Sequence, residues 1–127
     1  MLNALLSTGQ RLVALSSLAA LLCACHGQTH VARPTGSAHL GAITITRQAC
    51  GSCHVIPGIE EADGRVGPPL VHFAAQQTIA GKLPNTPNNL ARFLKSPRSV
   101  VRSGAMPNLG LSDDQVQDIA AYLYALK

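Results

Sequence analysis

The sequence has very few aromatic residues: two phenylalanines, two tyrosines and no tryptophan among 127 residues. Aromatic rings supply much of the apolar area of a protein core, so a domain of this size with so few rings buries little area through its own side chains. Small domains commonly obtain the missing stability from a disulfide, a metal or a cofactor. The length allows one domain. We therefore predict a single small domain organised around something other than its own rings.

Acidic residues are absent between Gly64 and Ser112, although the same stretch holds six basic ones: Arg65, Lys82, Arg92, Lys95, Arg98 and Arg102. The whole chain has a formal charge of +4. A basic stretch is one mark of nucleic-acid binding, but such proteins also stack bases on aromatic rings. Because those rings are scarce and no nucleic-acid module is recognisable, we expect no nucleic-acid partner.

No apolar run in the sequence is long enough to span a bilayer comfortably. The run Leu12–Leu22 follows Arg11 and ends in small residues, which is typical of an export signal. It closes with LCAC at residues 22–25, which resembles a bacterial lipoprotein box and implies cleavage before Cys25 with a lipid on its sulfur. The alternatives are an ordinary cleaved signal and an uncleaved anchor. We predict an export signal at 1–24, a flexible tether at 25–39 and a domain at 40–127.

Two helices are marked by their caps. Thr86 fits an N-cap, Pro87 fits the first helical position, and the Ser-Pro pair at residues 96–97 ends that helix. Ser112 begins a capping box with Gln115, and this predicts the last helix of the chain. Between residues 51 and 83, glycine and proline recur as breakers, so we predict loops there and no sheet.

The segment 40–48 is ambiguous by itself. Residues 43–46 (ITIT) alternate like a strand, whereas Ile43, Arg47 and Cys50 have helical spacing. The motif that follows it decides for a short helix. We therefore predict an all-α domain of three to four short helices joined by long loops.

That motif is Cys50-Gly51-Ser52-Cys53-His54, the C-x-x-C-H signal of c-type haem attachment. Two thiols at this spacing can each form a thioether with one of the two vinyl groups on an edge of the porphyrin. The next residue then places its imidazole under the iron. The motif predicts one covalently bound haem c, with His54 as an axial ligand.

Three other readings of the cysteine pair are weaker. A zinc site needs a second pair of ligands, and the other two cysteines, Cys23 and Cys25, lie in the export segment. A dithiol redox pair needs a βαβ context, which the sequence does not offer. A disulfide between residues so close in sequence would stabilise the fold very little.

Met106 is the leading candidate for the second axial ligand. It is the only methionine left after signal removal, and it lies in a Gly/Pro-containing loop rather than on an apolar helix face. A lone methionine usually fills a core, so His72 remains a rival. His26, His30 and His39 lie in or near the tether and are weaker candidates.

The domain from about residue 40 to 127 resembles the class I cytochromes c, the small mono-haem family with His–Met ligation. Several stretches match in order: the attachment motif, Gly67-Pro68-Pro69-Leu70, LARFLKSP at 90–97, Met106, and DIAAYL at 118–123. The resemblance implies the cytochrome c fold, wrapped around the haem. It also implies that the Pro68 carbonyl accepts the proton on the far nitrogen of His54 and that Leu70 presses on the haem. Phe93 would lie at the haem, and Tyr122 would pack against the first helix.

The sequence also departs from the family pattern. Residues 102–105 (RSGA) replace the usual Pro-Gly-Thr before the methionine, and Phe93 replaces a tyrosine that can hydrogen-bond its sulfur. A tryptophan common near the propionates is absent, and we expect the region of Asn85 to serve instead. Ile43 or Ile45 should replace the aromatic of the first helix that meets the last one. These changes bear on the reduction potential rather than on ligation.

With both axial positions filled, the iron can change charge but has no open position for a substrate, so we expect an electron carrier rather than an enzyme. The expected donors are a quinol-oxidising complex or a periplasmic dehydrogenase, and the acceptors a haem–copper oxidase or another reductase. We expect the protein on the periplasmic side of a bacterial membrane, attached by the lipid anchor, or alternatively as a soluble protein in the periplasm. Arg92, Lys95, Arg98 and Arg102 either steer acidic partners to the haem edge or form a scattered solvated surface.

Three other function classes remain open. The first is the haem subunit or electron-exit domain of a larger oxidoreductase, and the second is a gas- or ligand-binding sensor. A haem enzyme of the first class, such as a peroxidase, and a sensor of the second class both require Met106 to leave the iron or never to bind it. The third is non-haem metal binding, for which a colourless protein would be the sign.

Overall fold

The computed structural model describes residues 33–127, so the predicted export signal, Cys25, His26 and His30 lie outside the described residues. Within this range the chain forms four α-helices, two one-turn 3₁₀ helices and one pair of two-residue strands. Their bounds in chain order are α1 (Ala38–Arg47), 3₁₀ (Cys50–Ser52), 3₁₀ (Phe73–Ala75), β1 (Thr78–Ile79), β2 (Leu83–Pro84), α2 (Pro87–Lys95), α3 (Pro97–Val100) and α4 (Asp113–Leu123).

Helix α1 begins two residues earlier than the sequence predicts. Ser37 is its N-cap, and the Ser37 backbone N–H donates to Asp118 Oδ1 of α4 at 2.7 Å. This tertiary bond fixes the start of the helix, so Ala38 and His39, which we assigned to the tether, are helical. The helical interpretation of the ITIT segment is confirmed. Thr44 and Thr46 each bond a carbonyl four residues earlier, which satisfies their hydroxyls within the helix.

Helices α1 and α4 cross at a glycine. A Cβ added at Gly41 would lie 2.1 Å from the Asp118 carbonyl oxygen and 2.9 Å from Tyr122 Cβ, so only glycine allows this approach. Tyr122 thus packs on the first helix, as the resemblance implies. Of the two isoleucines predicted to meet α4, Ile45 is 1% exposed and Ile43 is 36% exposed, so Ile45 belongs to the core.

Helix α2 has the predicted caps. Thr86 Oγ1 accepts from the Asn89 backbone N–H at 3.3 Å, Pro87 opens the helix, and Lys95 is its last residue before the break at Ser96. Leu90 and Leu94 are its buried side chains. Helix α4 has the predicted capping box: Ser112 and Gln115 each bond the other's backbone N–H.

The described chain is mostly α, with one small exception. Strands β1 and β2 pair antiparallel over two residues each, where we predicted loops only. The core draws side chains from every part of the fold: Ile45, Ile56, Ala62, Phe73, Ile79, Leu90, Leu94, Leu111, Val116, Ile119, Ala120 and Leu123. Among the described residues, none of the helices has the length and hydropathy needed to cross a membrane.

Candidate functional site

The C-x-x-C-H motif forms a compact turn directly after α1. Ala49 is in the left-handed region at φ 52°, which bends the chain out of the helix, and the 3₁₀ turn follows. The backbone N–H groups of Cys53 and His54 both donate to the Cys50 carbonyl, at 3.2 and 3.0 Å. Both thiols are free and half-buried. The turn therefore presents two thiols and an imidazole within five residues, held by its own backbone.

A second segment, residues 62–70, runs along this turn, and we call it the strap. Its backbone is hydrogen-bonded to the motif at two points, Gly64 N to Gly51 O at 3.0 Å and Gly67 N to Cys53 O at 2.8 Å, and to the residue after the motif at a third, Leu70 N to Val55 O at 2.9 Å. Two of these bonds start from a strap glycine. The strap therefore holds the motif from one side along most of its length.

Close approach of the strap requires small residues. A Cβ at Gly51 would lie 2.7 Å from Ala62, and one at Gly64 would lie 2.4 Å from the Ser52 carbonyl. Sequence reasoning missed this role of Gly51, Ala62 and Gly64. The sequence offered one signal for it, a set of small residues at and downstream of the motif, which we interpreted only as breakers of regular structure in a loop.

His54 is oriented by two strap residues. Its Nδ1 lies 2.7 Å from the Pro68 carbonyl oxygen, and because a carbonyl can only accept, Nδ1 carries the proton. The ring also lies against Gly67, where a Cβ would be 2.3 Å from Cε1. This arrangement leaves the lone pair of Nε2 free to bind a metal and fixes the ring plane, as a ligand to iron requires.

The two thiols differ in their surroundings. Burial raises the pKa of the Cys50 thiol, and the neighbouring Cys53 raises it further, against a backbone hydrogen bond that lowers it. Cys50 is therefore a protonated thiol at neutral pH. Its side chain packs against the core like a small apolar residue.

Met106 lies in the loop between α3 and α4. Like Leu70 and Phe93, it is half-buried and packs against the core without being enclosed by it. Leu70 and Phe93 supply half-buried apolar side chains, and Met106 supplies a thioether. The C-x-x-C-H motif adds two thiols and an oriented imidazole nitrogen. That donor set fits a haem, with sulfur and nitrogen ligands for iron and thiols for its vinyl groups.

The rival histidines are placed differently. His72 is exposed, and its Nδ1 bonds the carbonyl of Lys127 at the other end of the domain. His39 is exposed in the first turn of α1. In residues 33–127, no group of three or more His, Cys, Asp or Glu side chains is arranged to hold a metal ion, which is the set that the zinc alternative needs.

Asn85 lies in the region that we expected to serve beside the propionates, and its amide is bonded within the protein. Its Nδ2 donates to the carbonyls of Phe73 and Gln76, at 2.8 and 2.9 Å, and its Oδ1 accepts from the Tyr124 hydroxyl at 2.7 Å. Both donors of the amide are therefore used inside the protein. The Tyr124 ring also meets Phe73 edge-on, with centroids 5.6 Å apart, so Asn85 joins the C-terminal end of the domain to the 73–76 turn.

One of the four basic residues predicted at the haem edge is engaged within the chain. Lys95 Nζ lies 2.7 Å from Asp113 Oδ1 and donates to the Leu111 carbonyl at 3.2 Å. The hydrogen bond and charge of Lys95 hold the pKa of the Asp113 carboxyl below its usual value. Arg92, Arg98 and Arg102 are exposed and make no ion pair with the described residues.

Comparison with known proteins agrees with this site. The family model of cytochrome c matches residues 40–127. The chain is 30% identical over 99 residues to cytochrome c oxidase subunit 2 of Alkalihalophilus pseudofirmus, a match covering 76% of this chain and 28% of that protein. It is 30% identical over 87 residues to the subunit of the same name from Bacillus sp. strain PS3, covering 65% and 24%. The chain thus spans about a quarter of the length of these curated relatives. Because the family model matches most of the chain, including the motif, the strap and the Met106 loop, the chain belongs to the cytochrome c family.

Proposed function

We propose that this protein is an exported one-electron carrier with a single haem c, bound covalently through Cys50 and Cys53 and ligated by His54 and Met106. Family membership supports haem as the cofactor and electron transfer as the activity. The observation that carries the finer proposal is the hydrogen bond from His54 to Pro68, in a strap whose backbone also bonds Gly51 and Cys53 of the motif.

The chain contributes geometry and surroundings to the chemistry. The haem supplies a metal that changes its charge by one electron. Pro68 keeps the proton on Nδ1 of His54, which makes the other nitrogen the ligand and increases its basicity. The thioether of Met106 would supply the second ligand to the iron, and Met/His ligation would raise the reduction potential. With both positions taken, an outside molecule has no coordination site, which favours a carrier over a catalyst.

Absorption spectroscopy tests the ligand set. Protein made with haem-maturation machinery should show a covalent c-type spectrum and the weak near-infrared band of sulfur bonded to ferric iron. Met106→Ala should abolish that band, whereas His72→Ala should leave it intact as the matched control for the rival ligand. If the band survives in Met106→Ala, the assignment of the sixth ligand is wrong.

Carbon monoxide separates a carrier from a sensor or peroxidase. The reduced wild-type protein should show no rapid spectral change with carbon monoxide, because Met106 occupies the binding position. Met106→Ala should bind it rapidly. Rapid binding by the wild-type protein would favour the reactive alternatives.

The relatives bear on the acceptor. Both are named as subunit 2 of cytochrome c oxidase, and this chain matches about a quarter of each. We propose a haem–copper oxidase as acceptor, with a quinol-oxidising complex or a periplasmic dehydrogenase as donor, and another reductase as the alternative acceptor. Oxygen consumption by a purified bacterial haem–copper oxidase should become dependent on the reduced protein.

A second candidate is the haem subunit of a larger oxidoreductase complex. The partial match favours it, since the matched part of each relative is joined to a much longer chain. The two candidates differ in behaviour during gentle purification from membranes. A carrier should separate as a monomer, and a subunit should remain with a fixed partner.

Electrostatic steering is part of the carrier proposal, in a reduced form. Because Lys95 is paired with Asp113, we assign steering to Arg92, Arg98 and Arg102 alone. Their attraction to an acidic surface should weaken as salt screens it. The rate of electron transfer to an acidic partner should therefore fall with ionic strength, and a flat profile would contradict steering.

The location is a separate proposal, based on the sequence before the domain. We place the protein on the periplasmic side of a bacterial membrane, attached by lipid on Cys25, or soluble in the periplasm if that lipid is absent. A tether of about 15 residues would give the domain a reach of roughly 20 Å. Cys25→Ser should release the domain from the membrane fraction, and mass spectrometry of the N-terminal peptide should find the acyl groups in the wild type.

A further inference from the structure

The loop that carries Met106 has very little hydrogen bonding of its own. From Arg102 to Leu111 there are two hydrogen bonds with partners in residues 33–127: Gly104 N–H to the Val101 carbonyl at 3.0 Å, and Lys95 Nζ to the Leu111 carbonyl at 3.2 Å. The first precedes Met106, and the second follows it. A segment with so few bonds opens easily unless something else holds it.

The second bond reaches the loop from a well-anchored helix. Lys95 is the last residue of α2, whose Leu90 and Leu94 are buried. Its ammonium contacts both the Leu111 carbonyl and the Asp113 carboxylate, the latter at 2.7 Å. Leu111 itself is 5% exposed. The end of the loop is therefore attached to α2 and to the start of α4 through one side chain.

We propose that Lys95 is a positioning residue for Met106: its ammonium holds the exit of the loop and so keeps the thioether directed at the iron. This inference rests on the proposed ligation by Met106. A thioether is a weak ligand that depends on its placement, because its bond to iron breaks whenever the loop moves away. Loss of the ammonium leaves the Leu111 carbonyl without that donor, so only the buried Leu111 side chain and the start of α4 hold this end, and the loop samples open conformations more often.

The two contacts of the Lys95 ammonium, with the Leu111 carbonyl and with Asp113, should differ in how strongly they hold the loop. The bond to the Leu111 carbonyl acts on the loop itself, whereas the pair with Asp113 lies at the surface, where the Asp113 side chain is 92% exposed. Exposed ion pairs contribute little, and a hydrogen bond from a charged donor contributes more. Removal of the Lys95 ammonium should therefore release the loop more than removal of the Asp113 charge.

The test measures how often Met106 leaves the iron. Imidazole binds ferric iron only after the methionine dissociates, so its binding rate at saturating imidazole reports loop opening. Lys95→Met keeps the alkyl chain and removes the ammonium, and it should raise this rate by about three- to tenfold. Asp113→Asn should raise it less than Lys95→Met does, and Lys95→Arg should stay near wild type because it keeps a charged donor.

Lys82→Met is the matched control, since Lys82 is an exposed lysine in the turn between β1 and β2, with no side-chain hydrogen bond among the described residues. It should leave the imidazole rate unchanged. Circular dichroism should show native helix in every variant at the temperature used, and the near-infrared band should persist in every variant, because opening that is rare in the wild type stays rare after a rise of about three- to tenfold. Equal imidazole rates in wild type and Lys95→Met would overturn the inference. An imidazole rate in Lys95→Arg as high as that in Lys95→Met would overturn it too.

Failure of the ligand proposal would look different. If the wild-type protein lacks the near-infrared band, Met106 is not the ligand and the proposed function fails in that respect. If the wild type has the band and Lys95→Met has both the band and the wild-type imidazole rate, the ligand stands and the positioning role of Lys95 is wrong.

Discussion

Gly67→Ala should loosen the haem ligand itself. The added Cβ would lie 2.3, 2.6 and 2.8 Å from Cε1, Nδ1 and Nε2 of His54, where ordinary contacts between such atoms are about 3.5 Å or longer. The ring cannot simply swing away, because the proposed iron bond holds one side and the bond to Pro68 holds the other. Either the imidazole tilts or the strap moves outward, and both lengthen the hydrogen bond to Pro68.

The cost has two parts. Overpacking of this kind costs about 1–3 kcal/mol, and loss of one hydrogen bond costs about 0.5–1.5 kcal/mol. Together they predict a loss of about 1.5–4.5 kcal/mol in the free energy of unfolding, a large share of the about 5–15 kcal/mol of a typical domain. Weakening the bond to Pro68 also makes His54 a poorer electron donor, so the reduction potential should rise.

Guanidinium unfolding of the haem-loaded protein measures the first effect, and redox titration measures the second. Gly81→Ala is the control, because Gly81 has φ +63° with nothing within 4 Å of an added Cβ. It should cost about 1–2 kcal/mol through backbone strain alone and leave the potential unchanged. A Gly67→Ala protein within about 0.5 kcal/mol of wild type, with an unchanged potential, would refute the account of the strap.

Three further changes test the rest of the fold. Gly41→Ala puts a Cβ 2.1 Å from the Asp118 carbonyl oxygen, so α1 and α4 must separate, and the free energy of unfolding should fall by about 1–3 kcal/mol; wild-type stability would contradict the crossing. Asn85→Ala should cost about 2–4 kcal/mol by thermal or guanidinium unfolding, because it leaves the Gln76 carbonyl and the Tyr124 hydroxyl without a partner, whereas the Phe73 carbonyl keeps its bond from the Gln76 backbone N–H; a shift in potential without a loss of stability would instead favour the propionate role. Burial raises the pKa of Tyr124 to about 12 from 10.0, so its contribution to stability is complete below pH 10 and is lost as the pH rises from 10 to 12. Tyr124→Phe should flatten that alkaline decline in unfolding experiments, and an unchanged slope would show that other groups cause it.

The sequence predicted the elements whose signals are local. Thr86 and Ser112 cap helices because their hydroxyls can reach backbone N–H groups three residues ahead, and nothing distant is needed for that. Helix α1 is a different case. Its ITIT segment favours a strand by propensity, and the helix forms because Gly41 and Ile45 meet α4.

The parts that could not be predicted depend on contacts between distant residues. The choice of Ile45 over Ile43 follows from the direction in which α1 crosses α4, which no local pattern gives. The bonds of the Asn85 amide to two carbonyls and to Tyr124, which is 39 residues away in the sequence, have no local signal either. The strap was foreseen only where the family turn contains it, at Pro68 and Leu70.

The placement of His54 and of Met106 shows why one ligand was easier to predict than the other. His54 lies next to Cys53, and its orientation comes from a strap with several backbone hydrogen bonds, so the protein holds it before and after iron binds. Met106 comes from a loop with almost no internal bonds among the described residues, and Lys95 donates the hydrogen bond that ties the Leu111 carbonyl at its far end to α2. The proposed ligand His54 is encoded by a contiguous motif, whereas the proposed placement of Met106 depends on a contact between α2 and the start of α4. Variation at Lys95 should therefore change the lability of the site without changing the identity of its ligands.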